Sequence, residues 1–257
     1  MELTDARFWD AYWAKLRLPS EVDEKDSFDR CLAAALRKHL AGCAGSALEI
    51  GCAPGKWLVF MTKELGLKPS GIEYSEAGMS ATIRNLGMLG VDYGEILSGD
   101  FFKLSPAPRF DVVASFGFIE HFNDVDAVIS RHLEWCKPGA MLVLGVPNFR
   151  GIYRPLQSML DKTILDKHNL GIMSLDWFKE AAQRHRLEIK YLGYIGSFEP
   201  ALPIPPERAR TPLRFIVKTA LRLGRHARRP RIFDSINSGW FSSYMLLICK
   251  KGGRITD

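Results

Sequence analysis

Three acidic residues stand at the ends of predicted strands, and together they could surround one polar ligand. Glu49 lies in the apolar run 47–50, Glu73 follows a glycine-rich turn by about 20 residues, and Asp100 follows a third strand pattern. The carboxyl ends of parallel strands meet at one edge of a sheet, so we expect these carboxylates to lie close together. Carboxylates there can accept hydrogen bonds from ribose hydroxyls or from an amine.

A glycine-rich turn joins the first predicted strand to a helical pattern. Residues 49–55 read EIGCAPG, and the pattern at 56–65 follows directly. Gly51 and Gly55 allow the backbone to approach a ligand, and the helix N-terminus offers unpaired N–H groups. The dinucleotide pattern G-x-G-x-x-G is not met, because Ala53 and Lys56 stand where it needs glycine.

This turn resembles motif I of the class I S-adenosylmethionine (SAM) methyltransferases, which usually reads acid-x-Gly-x-Gly-x-Gly. Ala53 replaces the middle glycine here. The resemblance implies SAM as the cofactor, S-adenosylhomocysteine (SAH) as the product, and no metal. It implies eleven cofactor-binding residues: Glu49, Gly51, Cys52, Ala53, Gly55, Glu73, Tyr74, Asp100, Phe101, Phe116 and Tyr12.

Roles follow from the same resemblance. Glu73 would accept hydrogen bonds from the ribose hydroxyls, with Tyr74 packed on the adenine. Asp100 would accept from the adenine amine, with Phe101 against the ring. The aromatic pattern at 4–18 would form a helix that closes over the cofactor, where Tyr12 could line the pocket.

The alternation of strand and helix patterns predicts an α/β fold. Within the resemblance this is a Rossmann-like seven-stranded methyltransferase sheet, mostly parallel with the last strand antiparallel, and with helices on both faces. We expect an N-terminal helical lid or cap at 1–40 and a class I methyltransferase domain at 41–257. We place two insertions in that domain, a substrate cap at 149–170 and a basic helical arm at 200–235.

Strand and helix boundaries can also be predicted. The expected strands are 47–50, 69–75, 95–99, 110–115, 140–146, 187–194 and 243–250. The expected helices are 4–18, 28–40, 56–65, 80–89, 125–136 and 174–184. The tripeptide at 137–139, Lys-Pro-Gly, is predicted to be a turn before the fifth strand.

Two histidines are placed where they could contact a methyl acceptor. His121 follows strand four in a Glu-His pair, and His168 stands in the expected substrate cap. Methyl transfer from a sulfonium is an in-line displacement that depends mainly on alignment and desolvation. A base assists when the acceptor is an alcohol or a phenol. We take both histidines as candidate catalytic residues; the alternative is that they are hydrogen-bonded structural histidines.

The absence of several motifs restricts the class of methyl acceptor that we expect. The Asn/Asp-Pro-Pro-Tyr motif of DNA methyltransferases is absent after strand four, and so is the Pro-Cys of cytosine C5 methylation. Catechol-type metal enzymes and RNA 2′-O-methyltransferases need an Asp there, where this chain has Ser115 and Phe116. We therefore expect a SAM-dependent enzyme acting on an O or N atom of a small molecule, such as a lipid-linked, glycan or secondary-metabolite precursor. The open alternatives are a non-catalytic SAM-fold binding protein and an RNA methyltransferase.

Charge is concentrated in one segment. Of the 257 residues, 25% are charged and the formal net charge is +6, yet residues 208–231 carry nine Lys or Arg and no acid. That segment could be the solvated face of a helix packed against the sheet, or it could contact an anionic membrane surface. Nucleic acid is disfavoured because no RNA-binding module is recognised. The five cysteines show no C-x-x-C spacing, which fits a protein of the reducing cytoplasm. We expect a cytoplasmic protein that could associate peripherally with the inner membrane surface. The oligomeric state is left open.

Overall fold

A computed structural model of the chain describes residues 2–107, 109–199 and 231–252, together with residues 202, 219 and 223. The seven strands within these residues form one sheet: β1 (Ser46–Ile50), β2 (Lys68–Glu73), β3 (Ile96–Ser98), β4 (Phe110–Phe116), β5 (Cys136–Pro147), β6 (Leu187–Ile195) and β7 (Tyr244–Lys251). The α-helices whose two ends lie within the described residues are α1 (Ala6–Trp13), α2 (Ser27–His39), α3 (Lys56–Leu65), α4 (Glu76–Met88), α5 (Val125–Trp135), α6 (Tyr153–Leu165) and α7 (Leu175–Arg184).

The strand order is β3-β2-β1-β4-β5-β7-β6. Strands β1 to β5 pair in parallel, and β7 pairs antiparallel with both β5 and β6. The order reverses between β1 and β4, which is the switch point where an open α/β sheet binds ligands. The predicted fold class is confirmed, including the antiparallel last strand.

Each face of the sheet carries its own apolar layer. Leu48 and Val113 point into the layer packed by α5, α6 and α7, whereas Ala47 and Val112 point into the layer packed by α2, α3 and α4. The two layers exist because successive side chains of a strand face opposite sides of the sheet. Burial on both faces holds the strand ends, and the loops that follow them, in a fixed arrangement.

Helix α4 begins earlier than predicted. Its first residue is Glu76, not residue 80, because the Ser75 side chain accepts a hydrogen bond from Gly78 N at 3.0 Å. A serine cap of this kind satisfies an otherwise unpaired N–H of the first turn. The loop between Glu73 and α4 is therefore short, which keeps the end of β2 close to the start of the helix.

The turn predicted at 137–139 lies inside β5. Cys136 pairs with Phe110 and the pairing resumes between Met141 and Val112, so the tripeptide bulges out of a continuous strand. Gly139 there has a φ of +79°, which glycine adopts at little cost. The position of the bend was predicted correctly, but its assignment as a strand boundary was wrong.

The two segments expected to cover the site both contain helices. The expected lid at 1–40 contains α1, whose N-cap Asp5 accepts from Phe8 N at 2.9 Å, and α2, which packs against the sheet. The expected substrate cap contains α6. Most of the basic segment 208–231 and most of the expected arm at 200–235 lie outside the described residues. Among the residues that are described, none belongs to a helix long and apolar enough to span a bilayer.

Candidate active site

A cavity of about 260 Å³ lies between the carboxyl ends of the central strands and helix α1. Eight of the eleven predicted cofactor residues line it: Gly51, Ala53, Glu73, Tyr74, Asp100, Phe101, Phe116 and Tyr12. Further aromatic rings complete the wall: Trp9, Trp13, Phe118 and Phe122. Residues far apart in the sequence thus meet at the switch point of the sheet.

Gly51 lies at a point of the cavity wall where there is no room for a side chain. Its φ is +71°, and a Cβ built on it would lie 2.8 Å from Cδ2 of Phe118. Its N–H donates to the carbonyl of Ile72 at 2.9 Å, so the turn is tied to the end of β2. A side chain at this position would need both an unfavourable backbone conformation and a displaced ring.

Glu73 is held by the backbone on three sides. Its carboxylate accepts from the N–H groups of Ala53, Tyr74 and Ser75 at 3.1, 2.9 and 2.9 Å. Burial raises the pKa of the carboxyl, while these N–H groups act in the opposite direction. A carboxylate has about four acceptor sites, so about one remains for a hydroxyl group of a ligand.

The residues after β3 form the opposite wall. Asp100 accepts from Phe102 N at 2.9 Å, which fixes the loop, and both Asp100 and the buried Phe101 border the cavity. Phe101 packs edge-on to Phe118, with 5.7 Å between centroids. Tyr74 lines the cavity and is 40% exposed, so part of this residue is accessible.

Three predicted cofactor residues do not line the cavity. Cys52 turns its thiol against the backbone of Gly71 in β2. Gly55, the N-cap residue of α3 with φ +86°, packs against Thr82 of α4. Glu49 is buried, and its Oε2 has no hydrogen-bond partner among the described atoms. Burial and the neighbouring Glu73 raise the pKa of Glu49 well above its usual range. These side chains shape the turn and do not face the cavity.

The two candidate histidines are in ring contact, with centroids 4.7 Å apart. His121 lines the cavity, and His168 lies outside it. His121 Nδ1 lies 2.8 Å from the Lys167 carbonyl, and His168 Nδ1 lies 2.7 Å from that of Ile164. A carbonyl only accepts, so in each ring Nδ1 carries the proton and Nε2 keeps its lone pair. Burial lowers both pKa values, that of His121 to about 3, and both rings are neutral at pH 7.

Glu120 joins this cluster and is absent from the residues predicted for the site. Its side chain is 1% exposed, and its Oε1 lies 3.8 Å from His121 Nε2. Its Oε2 has no hydrogen-bond partner among the described atoms, and burial raises the pKa of the carboxyl to about 8. Its position directly before His121, in a turn after β4, was the available sequence signal.

The N-terminal segment is fastened over the cavity at two points. Leu3 N donates to the His121 carbonyl at 2.8 Å. Asp10 Oδ1 accepts from Ser75 Oγ at 2.6 Å and from Ala77 N at 3.1 Å, which joins α1 to the start of α4. Helix α1 therefore lies beside the cavity, and its role as a lid over a cofactor stays a prediction.

Comparison with known proteins agrees with this geometry. The family model described as "Methyltransferase domain" matches residues 20–188. The Ubiquinone biosynthesis O-methyltransferase of Rhodopseudomonas palustris (strain TIE-1) is 31% identical over 103 residues, which are 39% of this chain and 39% of that protein. The alignment thus spans well under half of that relative.

Two solved structures share the fold. A SAM-dependent methyltransferase from Archaeoglobus fulgidus aligns with a TM-score of 0.54 at 18% identity, over 86% of this chain and 94% of its own. The [4+2]-cyclase SpnF aligns with a TM-score of 0.63 at 15% identity, over 98% and 97% of the two chains. The family match, the strand order and the cavity agree with the motif at 49–55. The chain therefore belongs to the methyltransferase domain family.

Proposed function

We propose that this methyltransferase transfers the methyl group of SAM to a hydroxyl oxygen of a small molecule that carries no negative charge at the site. The main support for this proposal is the set of side chains that line the cavity. The wall consists of aromatic rings, small residues and the carboxylates of Glu2, Glu73 and Asp100, and no Lys or Arg is among its described residues. A carboxylate or phosphate acceptor would meet no cationic side chain there.

The cavity divides into two ends in this proposal. Gly51, Glu73 and Asp100 form the end that would hold SAM, with the acidic groups favouring its positive sulfonium. Phe118, Phe122 and His121 form the other end, which would hold the acceptor. Aromatic walls suit a planar or apolar acceptor and exclude water from the displacement.

Oxygen is the proposed acceptor atom for two reasons. The curated relative from Rhodopseudomonas palustris is named an O-methyltransferase. In addition, a hydroxyl must lose its proton as the C–O bond forms and the C–S bond breaks, and the His121–His168 cluster lies at the acceptor end. We propose these two histidines as the residues that serve the acceptor hydroxyl. A neutral amine would need such help less.

The test uses SAM with an isotopically labelled methyl group and a panel of phenols, aliphatic alcohols, amines, carboxylates and bulk RNA. We expect label in the phenols or alcohols and an equal amount of SAH. Transfer to amines or carboxylates alone would overturn the choice of oxygen. Transfer to RNA would indicate the alternative nucleic-acid function. SAH binding without transfer to any member of the panel would favour a non-catalytic SAM-binding role.

We also propose that the basic segment 208–231 brings the enzyme to an anionic membrane surface. The support is its nine positive charges without an acid. Flotation with vesicles of zwitterionic lipid, with and without an anionic lipid, tests it. Binding that requires the anionic lipid, and that high salt removes, is expected. Equal flotation with both vesicle types, or none, would contradict it.

A further inference from the structure

The donor atoms of Glu120, His121 and His168 all lie within 4.8 Å of one another. They come from two segments, the 3₁₀ turn Ile119–His121 after β4 and the residues that follow α6. Asn169 N donates to the Glu120 carbonyl at 2.6 Å, and its Nδ2 donates to the Phe122 carbonyl at 3.1 Å. Backbone hydrogen bonds therefore hold the two segments in register, so the juxtaposition belongs to the fold.

Each of the three side chains keeps a lone pair for a further partner. Both histidines donate Nδ1–H to a backbone carbonyl, which leaves Nε2 as the available nitrogen. Glu120 Oε2 is buried and has no hydrogen-bond partner among the described atoms. Metal-binding histidines commonly donate their other N–H to a carbonyl in this way, since it fixes the tautomer and the ring orientation.

We propose that Glu120, His121 and His168 bind one divalent transition-metal cation of the Zn²⁺, Mn²⁺ or Fe²⁺ class. Two imidazoles and one carboxylate are a donor set found in both zinc and non-haem iron sites, and they leave coordination positions open. With metal–ligand bonds of about 2.0–2.2 Å, donor atoms stand roughly 3–4 Å apart. The 3.8 Å between Glu120 Oε1 and His121 Nε2 falls in that range.

The cluster lies between two cavities. His121 lines the cavity described above, and His168 lines a second cavity of about 460 Å³ with Asn169, Arg154 and Lys162. One of the three side chains thus borders a cavity other than the one assigned to SAM.

The proposed role of the cation rests on the proposed O-methylation. A bound cation lowers the pKa of a hydroxyl that coordinates it. The hydroxyl proton then leaves to water, the oxygen forms the C–O bond, and the C–S bond of SAM breaks to give SAH. The histidines would thus act on the acceptor through the cation. Cation binding itself does not depend on that role and can be measured without SAM.

The full chain is first stripped of bound metal with EDTA. It is then titrated in a calorimeter with Zn²⁺ and, separately, with Mn²⁺. Co²⁺ serves as a spectroscopic probe through its visible absorption. The variants are Glu120→Gln, which nearly preserves side-chain volume, and His168→Gln. The matched control is His39→Gln, because His39 lies at the end of α2, away from the cluster. Far-UV circular dichroism checks that each variant is folded.

We expect one cation per wild-type chain. Affinity should fall by at least about 10- to 100-fold in Glu120→Gln and His168→Gln, and it should be unchanged in His39→Gln. The absence of binding by wild type, or equal binding by all four proteins, would overturn the site. A chain that binds the cation but gives no SAH in the acceptor panel would refute the proposed function and leave this inference standing. Methyl transfer by a chain that binds no cation would overturn this inference and leave the proposed function standing.

Discussion

The indole ring of Trp9 lies edge-on to the imidazole of His121, with 5.0 Å between the ring centroids. Trp9 belongs to the covering helix α1, and His121 to the turn that follows the central strand β4. The same histidine accepts a hydrogen bond from Leu3 N at its carbonyl. Helix α1 thus packs directly on a residue of the candidate site. A substitution of Trp9 should therefore alter the surroundings of His121, and the reverse should also hold.

Replacing Trp9 should weaken the packing of helix α1 over the cavity. Trp9→Ala removes an edge-on aromatic contact worth about 0.5–1.5 kcal/mol, so SAH affinity should fall by about 2- to 10-fold. Calorimetric titration with SAH measures this loss. Trp240→Ala is the matched control, because Trp240 is 66% exposed and lies outside the cavity. An equal loss in both variants would contradict the packing argument.

The link between α1 and α4 can be tested separately. Asp10→Ala removes the acceptor for Ser75 Oγ and Ala77 N, so the covering helix should detach more often. Limited trypsin digestion should then cut faster after Lys15 or Arg17 than in wild type. Asp92→Ala is the control, since Asp92 is an exposed acid outside this contact. Unchanged cleavage in Asp10→Ala would show that the link does not hold the helix.

Acid should destabilise the protein through His132. This histidine is fully buried, its Nδ1 lies 2.8 Å from the Val128 carbonyl, and its Nε2 lies 3.1 Å from Ser115 Oγ. Burial lowers its pKa to about 4. Because the folded pKa lies below the unfolded value, its contribution is complete above about pH 6.5 and is lost as pH falls toward 4.

Thermal unfolding at pH 7 and pH 5 measures this effect. His132→Gln removes the titration, so the variant should lose less stability between these pH values than wild type. The difference should be at most about 2 kcal/mol, from about 1.4 kcal/mol for each pH unit below 6.5. Identical pH dependence of the two proteins would mean that His132 does not titrate in this interval.

Local patterns predicted much of the fold. Helix α3 spans Lys56–Leu65 as expected, because a glycine turn precedes it and Gly66 ends it. Helix α7 begins after Ser174, whose side chain accepts from Trp177 N at 3.1 Å, as the capping pattern predicts. Such boundaries depend on residues close in sequence, so they can be read from the chain alone.

The features of the site that could not be predicted from the sequence depend on contacts between residues far apart in the chain. The direction of the Cys52 thiol is set by Gly71 in the neighbouring strand, which no motif reveals. The partnership of Glu120 with His168 requires a helix and a turn to fold back onto β4. Sequence reasoning therefore located the strand ends that carry the site, while the structure was needed to decide which side chains meet there.

The central claim is that the turn at 49–55 holds SAM, and the substitution Gly51→Ala tests it most directly. A methyl group there would stand against Phe118 in a left-handed backbone conformation. Gly42→Ala is the matched control: Gly42 has a similar φ of +81°, and a Cβ there would meet no atom within 4 Å. Both variants therefore carry the same backbone cost of about 1–2 kcal/mol.

Calorimetric titration with SAH should give micromolar binding, about −8 kcal/mol, for wild type and for Gly42→Ala. Binding should be lost or strongly weakened in Gly51→Ala. No SAH binding by wild type, or equal binding by Gly51→Ala and Gly42→Ala, would contradict the account.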